Sequence, residues 1–319
     1  MKAIVQDTYG STTVLELRDI PKPTPEENEV LLRVRAAGVD AGVWHLMTGL
    51  PYLLRLGYGV RRPKHAVRGR EVAGSVEAVG SNVTRFQPGD EVFGTCEGSF
   101  AQYAVARVDR LSLKPAATTF QQAAALPISG GTALQAVRDS AKVQAGQRVL
   151  VIGAAGGVGT YAVQLAKAFG AHVTGVCSTK KLELVQSIGA DEVIDYTRDE
   201  LKGQYDAILD IAGNRPLRQL RRLLTAKGTL VIIGGENGGK WLGGTERLLR
   251  AALLSPFIGQ RLLGMISSER AKDFDTLANL VEKGEITPVI DSAYPLAEAA
   301  QAIDYVQAAK SRGKVTITI

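Results

Sequence analysis

The stretch Val149-Leu-Val-Ile-Gly-Ala-Ala-Gly-Gly-Val-Gly-Thr160 joins an apolar run to a helical pattern through a turn built almost wholly of glycine and alanine. Aligned to the dinucleotide fingerprint, Ala154, Gly156 and Gly159 occupy its three small-residue positions, with Gly153 and Gly157 as extras. The second position must lack a side chain so that a pyrophosphate can approach the backbone, and the third lets the helix pack close to the strand. Val158 opens that helix, whose N-terminal amides are then free for phosphate. Ala154 departs from strict glycine, but a strand before and a helix after are the context the fingerprint needs.

About twenty residues on, a site for a cofactor without a 2′-phosphate would place Asp or Glu on the ribose. Here the next strand, His172 to Cys177, ends in Ser178-Thr-Lys-Lys181, two hydroxyls and two ammonium groups with no carboxylate. That composition suits a phosphate dianion, so NADP(H) is expected over NAD(H), held by Ser178, Lys180 and Lys181. Lysine at a helix start opposes the helix dipole, which again favours an anion nearby.

Working outward, strand and helix patterns alternate from about Thr119 to Gly235: strands at Arg148–Ile152, Val193–Asp195, Tyr205–Ile211 and Thr229–Ile233, helices at Val158–Phe169, Lys181–Ile188 and Leu217–Leu224. Such βα units imply a parallel sheet covered by helices. Residues 1–118 instead show short apolar alternations broken by Pro, Gly and Asp, a mostly β pattern. The tail reads as helix (Phe274–Glu282), strand (Thr287–Ile290), helix (Leu296–Ala309) and strand (Lys314–Ile319). The expected domains are 1–118, 119–266, and a return segment 267–319 that packs on the first.

Bulk counts agree with a two-domain α/β enzyme. The 319 residues exceed the roughly 100–200 of one ordinary domain. With 45% hydrophobic and 22% charged residues the chain is globular rather than disordered. Two cysteines build neither a disulfide scaffold nor a four-cysteine zinc lobe. The net charge of +6 permits anionic partners without requiring one. The N-terminus, MKAIVQDTYG, lacks the marks of a signal or transit peptide, and no segment has the length of a membrane span, so a cytoplasmic protein is expected.

Several motifs in order carry a family resemblance: Gly69-Arg-Glu-Val-Ala-Gly-Ser-Val76, Gly89-Asp-Glu-Val-Phe-Gly94, Gly131-Thr-Ala133, the glycine turn, Gly189-Ala-Asp-Glu-Val-Ile-Asp-Tyr196 and Arg312-Gly-Lys-Val315. Over essentially its whole length the chain resembles the medium-chain dehydrogenase/reductase superfamily, in its zinc-free quinone oxidoreductase branch near the reticulon-interacting-protein-like subgroup. The resemblance implies a GroES-like β-barrel domain followed by a Rossmann domain with a doubly wound parallel sheet. It places Asp40 where zinc-dependent relatives carry a cysteine and Arg70 where they carry a histidine, which implies no metal. It further implies that Thr132 lies near the nicotinamide, that Tyr196 contacts the adenosine phosphate side, and that Gly234 and Gly235, at a strand's carboxyl end, let the nicotinamide approach the backbone.

The expected reaction is hydride transfer from NADPH to a quinone or an α,β-unsaturated carbonyl, with enoyl-thioester reduction as a second enzyme reading. Asp40, His45 and Tyr52 are the candidate catalytic residues. Asp40, Val43 and His45 depart from the family loop, which leaves an NADPH-binding sensor or interaction protein as the non-enzyme alternative. A homodimer paired through the edge strand, with Thr229–Ile233 as that edge, is expected by the same resemblance. Nucleic acid is not expected, since basic and aromatic residues do not interleave. Thr245–Ile266 holds more apolar residues than one core-facing stripe requires, flanked by arginines, which reads as a cap or as a peripheral membrane or subunit contact. Arg215, Arg218 and Arg222 are spaced to share one helical face.

Overall fold

Alternating apolar residues set the first strands: β1 (Lys2–Val5), β2 (Glu16–Asp19) and the eleven-residue β3 (Glu29–Val39). Helices α1 (Ala41–Thr48) and α2 (Arg55–Tyr58) follow, then β4 (Glu71–Val79), β5 (Glu91–Thr95), β6 (Tyr103–Arg107), β7 (Leu111–Leu113), α3 (Phe120–Ala124) and α4 (Pro127–Leu134). The middle of the chain runs β8 (Arg148–Ile152), α5 (Gly157–Ala168), β9 (His172–Cys177), α6 (Leu182–Ser187), β10 (Glu192–Asp195), β11 (Tyr205–Asp210), α7 (Leu217–Arg222), β12 (Leu224–Ile232), α8 (Thr245–Leu254) and β13 (Arg261–Gly264). The tail adds α9 (Ala271–Glu282), β14 (Ile290–Pro295), α10 (Ala299–Gln307) and β15 (Lys314–Thr318). The structure, a computed structural model, describes residues 1–235 and 239–319.

Two compact units result, one of residues 1–131, 268–284 and 288–319, the other of 132–267 with 285–287. The boundary expected at 118/119 falls instead inside α4. Residues 119–131 stay with the first unit because Thr119 and Gln122 form a capping box that starts α3, and α3 packs on β3 and β4. In the first unit the main sheet runs β14-β15-β3-β4-β5-β7, with β6 also pairing β3. The closing strand β15 lies antiparallel to β3, Val315 opposite Val39. The strand expected at Thr287–Ile290 lies later, in Ile290–Pro295, because residues 285–287 group with the second unit and Gln164 bonds the Thr287 backbone through both ends of its amide (2.7 and 3.0 Å).

In the second unit, six parallel strands stand in the order β10-β9-β8-β11-β12-β13. Renumbered within the unit this is 3-2-1-4-5-6, the doubly wound order, with its reversal between β8 and β11. Val149, Leu150, Val151 and Ile152 are all buried, as a parallel strand covered on both faces requires. Thr229–Ile233, expected at an edge, is interior, because β12 is flanked by β11 and β13; the edges among the described residues are β10 and β13.

Candidate active site

Ligands of open α/β sheets bind outside the carboxyl ends of the strands where the strand order reverses. The glycine turn occupies that place. Gly153 and Ala154 donate their backbone N–H groups to Val176 O at 3.1 Å, which ties the end of β8 to β9. Gly156 is the N-cap of α5 and makes no side-chain cap, so the first amides of the helix lack a side-chain acceptor. The two fingerprint glycines serve different ends. A Cβ on Gly159 would sit 2.0 Å from Gly153 O, so the fold itself forbids a side chain there. A Cβ on Gly156 would meet nothing closer than Gly153 O at 3.5 Å, so the protein's own packing does not demand glycine. Close approach of a ligand would demand it, and a pyrophosphate at a helix N-terminus is the kind of ligand that does so. Ala154 is buried behind the turn, and Gly157 and Val158 form the first turn of α5.

Ser178, Lys180 and Lys181 lie beyond the carboxyl end of β9, in the short 3-10 turn that precedes α6. Tyr196 follows β10 beside them, since Asp195 pairs with Cys177 across the strands, and it is exposed. A carboxylate does stand at this edge, but on the neighbouring strand. Asp195 accepts hydrogen bonds from the hydroxyls of Thr179 and Thr197 and from the Thr197 amide, and Arg198 lies 3.8 Å from it. The Thr179 hydrogen bond, ahead of the others, holds its carboxyl below the usual range. Its oxygens are thus engaged in tying together the two segments that carry Lys180, after β9, and Tyr196, after β10. Sequence reasoning missed it because it looked only along β9.

Thr132 is nearly buried inside α4, and its hydroxyl donates to Ser267 Oγ at 2.9 Å rather than capping a helix. Gly234 is glycine for a reason internal to the fold: a Cβ there would fall 1.9 Å from Ile211 O. The closeness expected of a nicotinamide is therefore not what fixes that residue. Gly235 approaches Gly243, and the neighbouring residues 236–238 lie outside the described residues. At the end of β11, the fully buried Asp210 accepts from the Gly213 amide (3.2 Å) and pairs with Arg247 of α8. Arg247 Nε and Nη1 are buried with no partner among the described residues. This pair joins segments 37 residues apart, and no local motif marks it.

In the first unit, Asp40 caps α1, accepting from the Gly42 amide at 2.6 Å, while its Oδ2 is buried without a hydrogen-bond partner among the described residues. His45, in the last turn of α1, donates Nδ1–H to Leu50 O at 2.8 Å, which leaves Nε2 for other work. Tyr52 lies under the Arg55 guanidinium, 4.7 Å from its ring centroid, and Tyr9 stacks with the same group at 4.4 Å. The three candidate residues are thus each anchored by a different neighbour. Lys64 borders a small cavity of about 20 Å³ with Tyr58, His65, Arg68 and Glu97, which has room for a water molecule.

Arg70, Glu269 and Arg110 form a charged cluster: Arg70 pairs with Glu269, whose other oxygen is 3.4 Å from Arg110. Burial disfavours the Arg70 cation, but Glu269 and then Asp40 outweigh it and raise its pKa above the ordinary value. Next in sequence, Glu71 is fully buried. It accepts from Lys314, a 2.9 Å bond from the Ile128 amide and a longer one from Ser129, while Lys314 also donates to Ser129 Oγ. Burial pushes the Glu71 carboxyl up to about 7 despite Lys314 beside it. A zinc ion needs several N, S or O donors converging at about 2 Å. Among the described residues no three His, Cys, Asp or Glu side chains converge so, and the Arg70 cation beside Asp40 does not fit a metal.

Comparisons with known proteins agree with this geometry. The model described as alcohol dehydrogenase GroES-like domain matches residues 26–116, and that described as zinc-binding dehydrogenase matches residues 188–317. A chloroplast envelope quinone oxidoreductase homolog of Arabidopsis thaliana is 34% identical over 322 residues, 95% of this chain and 93% of the relative. The mitochondrial NAD(P)H oxidoreductase RTN4IP1 of Mus musculus is 33% identical over 361 residues, covering 100% and 89%. The mycobacterial protein Rv1454c, solved in complex with NADPH, is 27% identical with a TM-score of 0.84, and 100% of each chain is covered. The chain belongs to the medium-chain dehydrogenase/reductase superfamily, among its quinone oxidoreductase and RTN4IP1-like members. It is a nicotinamide-dependent oxidoreductase acting on a small molecule, with a GroES-like first domain and a Rossmann second one.

Proposed function

We propose that the protein is a zinc-independent, NADPH-dependent reductase of quinones or α,β-unsaturated carbonyls. One observation carries the reading: at the reversal point of the parallel sheet, Gly156 is free of packing demands, while Ser178, Lys180 and Lys181 stand beyond the next strand. A bound NADPH supplies a hydride, two electrons and a proton, to an acceptor that is already electrophilic. The protein's residues do the rest. The α5 amides and Gly156 hold the pyrophosphate, and Lys180, Lys181, Ser178 and Tyr196 hold the 2′-phosphate. His45, with Nδ1–H committed to Leu50 O, presents Nε2 to relay the second proton that completes a hydroquinone or a saturated carbonyl. Asp40 holds the start of α1 and the charge of Arg70 instead of reacting.

The Arg70 cluster supports the zinc-independent part, because a fixed guanidinium occupies the position that a metal ligand would need. Stopped-flow mixing of the NADPH-loaded protein with quinones, enals and enoyl thioesters tests the reading. Rapid NADPH oxidation by a quinone or an enone, unchanged by chelators, is the expected result. Tight NADPH binding without oxidation by any acceptor would leave an NADPH-binding sensor instead.

A further inference from the structure

Arg70 is a cation held still with donors left open. Its backbone oxygen accepts from the Cys96 amide at 2.8 Å, and its Nη2 donates to Glu269, which Arg110 approaches from the other side at 3.4 Å. Its Nε is buried with no hydrogen-bond partner, and Nη1 meets no acceptor either, among the described residues. A buried N–H without an acceptor destabilises a fold, and in a functional site a ligand supplies the acceptor. Arg70 stands just before β4, where the register of Gly38 with Glu71 and of Glu71 with Thr95 sets it at one end of the sheet with Asp40 and Cys96.

The open donors face the same side of α1 as His45. A Cβ on Gly42 would lie 3.9 Å from Arg70 Nη1, so that side of the helix looks toward the guanidinium. His45 comes three residues later, on the same face and about 4.5 Å farther along the axis. Its Nε2 is the nitrogen that Leu50 O does not engage. Reduction of a carbonyl compound calls for two such groups, a fixed donor for the oxygen and a relay for the proton.

Charge decides which kind of oxygen suits the donors. Arg70 and Arg110 are matched by Glu269 and Asp40, so the cluster has no surplus positive charge. A phosphate or carboxylate, already anionic, would be repelled by both acids. A neutral carbonyl enters without that opposition and becomes anionic only as hydride arrives, which is when a preorganised donor acts. Guanidinium stays protonated throughout, so it lends a hydrogen bond and no proton.

We infer that Arg70 is a catalytic residue, donating Nη1–H to the carbonyl oxygen of the acceptor as that oxygen becomes anionic. The inference rests on the reductase reading and adds the group that takes the place of a Lewis acid. In an enone the β-carbon gains the hydride of NADPH, the C=C pair shifts to the oxygen as enolate, and a proton relayed by His45 completes the α-carbon. In a quinone the same two electrons leave a hydroquinone monoanion, whose oxygen takes the proton. NADP+ is the other product in both cases.

Steady-state kinetics with a quinone and an enone test it. Arg70→Met with Glu269→Gln removes the donor without stranding a buried carboxylate. It should lower kcat by on the order of a hundredfold to a thousandfold while KM, NADPH affinity and melting temperature hold. The enone should lose more than the quinone, because an enolate is the more basic oxyanion. Arg70→Ala should regain turnover in guanidinium chloride below its denaturing range. Undiminished kcat in the double variant would overturn the inference, and so would a rise in KM alone, which would leave Arg70 a binding residue. A loss that follows the melting temperature and resists guanidinium would make it structural, and NADPH affinity falling in step with kcat would assign it to the cofactor; either overturns the inference. A wild type that oxidises NADPH with no acceptor would sink the reductase reading and this inference together, whereas an active wild type with indifferent variants would sink this inference alone.

Discussion

The glycine turn of the second unit and the Arg70 cluster of the first are both places where a reactive group is expected, yet they are built in opposite ways. The turn is made of backbone and of absent side chains, all within Gly153–Gly159. The cluster is made of side chains from segments 199 residues apart, Arg70 and Glu269. Backbone sites leave a local record in the order of small residues, because each position has a separate steric requirement. Side-chain clusters leave none, since any segment can supply the partner. In the proposed reading, the turn would admit phosphate through what is missing, and the cluster would disfavour a metal through what is present.

Breaking the second site's surroundings should cost most. Lys314→Met strips the counter-charge from fully buried Glu71, and breaking such a pair costs about 3–5 kcal/mol. Thermal unfolding should show a drop of several degrees, and Glu71→Gln combined with Lys314→Met should recover much of it. The turn offers a sharper contrast. Gly159→Ala drives a Cβ into Gly153 O and should destabilise the fold by roughly 3 kcal/mol. Gly156→Ala should leave the melting temperature nearly unchanged while NADPH affinity falls by on the order of a hundredfold. If both variants lost stability alike, the division between a packing glycine and a ligand glycine would fail.

A smaller effect separates cofactors. Lys180→Ala with Lys181→Ala should weaken NADPH roughly tenfold to a hundredfold, the worth of charge-assisted bonds to a phosphate, and change NADH little. Equal losses for both would remove the 2′-phosphate assignment.

The cysteines should be slow to react in the folded protein, as burial pushes the Cys177 thiol up to about 11 and raises Cys96 as well. Thiolate is the reactive form, so iodoacetamide at neutral pH should label the native chain far more slowly than the unfolded one.

The smallest effect concerns acid. The Asp195 carboxyl lies below its ordinary value in the fold, so its stabilisation is present above the unfolded value near 3.8 and is lost as pH falls through the lower folded value. Asp195→Asn should therefore lower stability slightly at neutral pH and flatten the acid limb of the stability curve, so that variant and wild type converge as pH falls through the lower folded value.

Much of the fold was legible in the sequence. Arg148–Ile152 and His172–Cys177 read as strands with their observed bounds, because a parallel strand buried on both faces is a continuous apolar run. Where the reading erred, a distant partner decided. Thr229–Ile233 became interior only because the later strand β13 adds an edge beyond it. At Gly234 packing alone demands glycine, because Ile211 O fills its Cβ position, so the residue type there does not by itself report a ligand. Arg215, read as sharing a helical face with Arg218 and Arg222, precedes the helix, since Pro216 caps it. Asp195, Asp210–Arg247 and Glu71–Lys314 were invisible for the same reason: each is defined by a contact across strands or helices rather than by spacing.

The proposed ligand role of Gly156 and the proposed preference for NADPH meet in one measurement. Calorimetric titration of NADPH and NADH into the wild-type protein and into Gly156→Ala measures both at once. The account predicts tight NADPH binding and weaker NADH binding by the wild type, and a Gly156→Ala protein that melts normally but binds neither well. Undiminished NADPH binding by Gly156→Ala, or equal affinity of the wild type for the two cofactors, would contradict it.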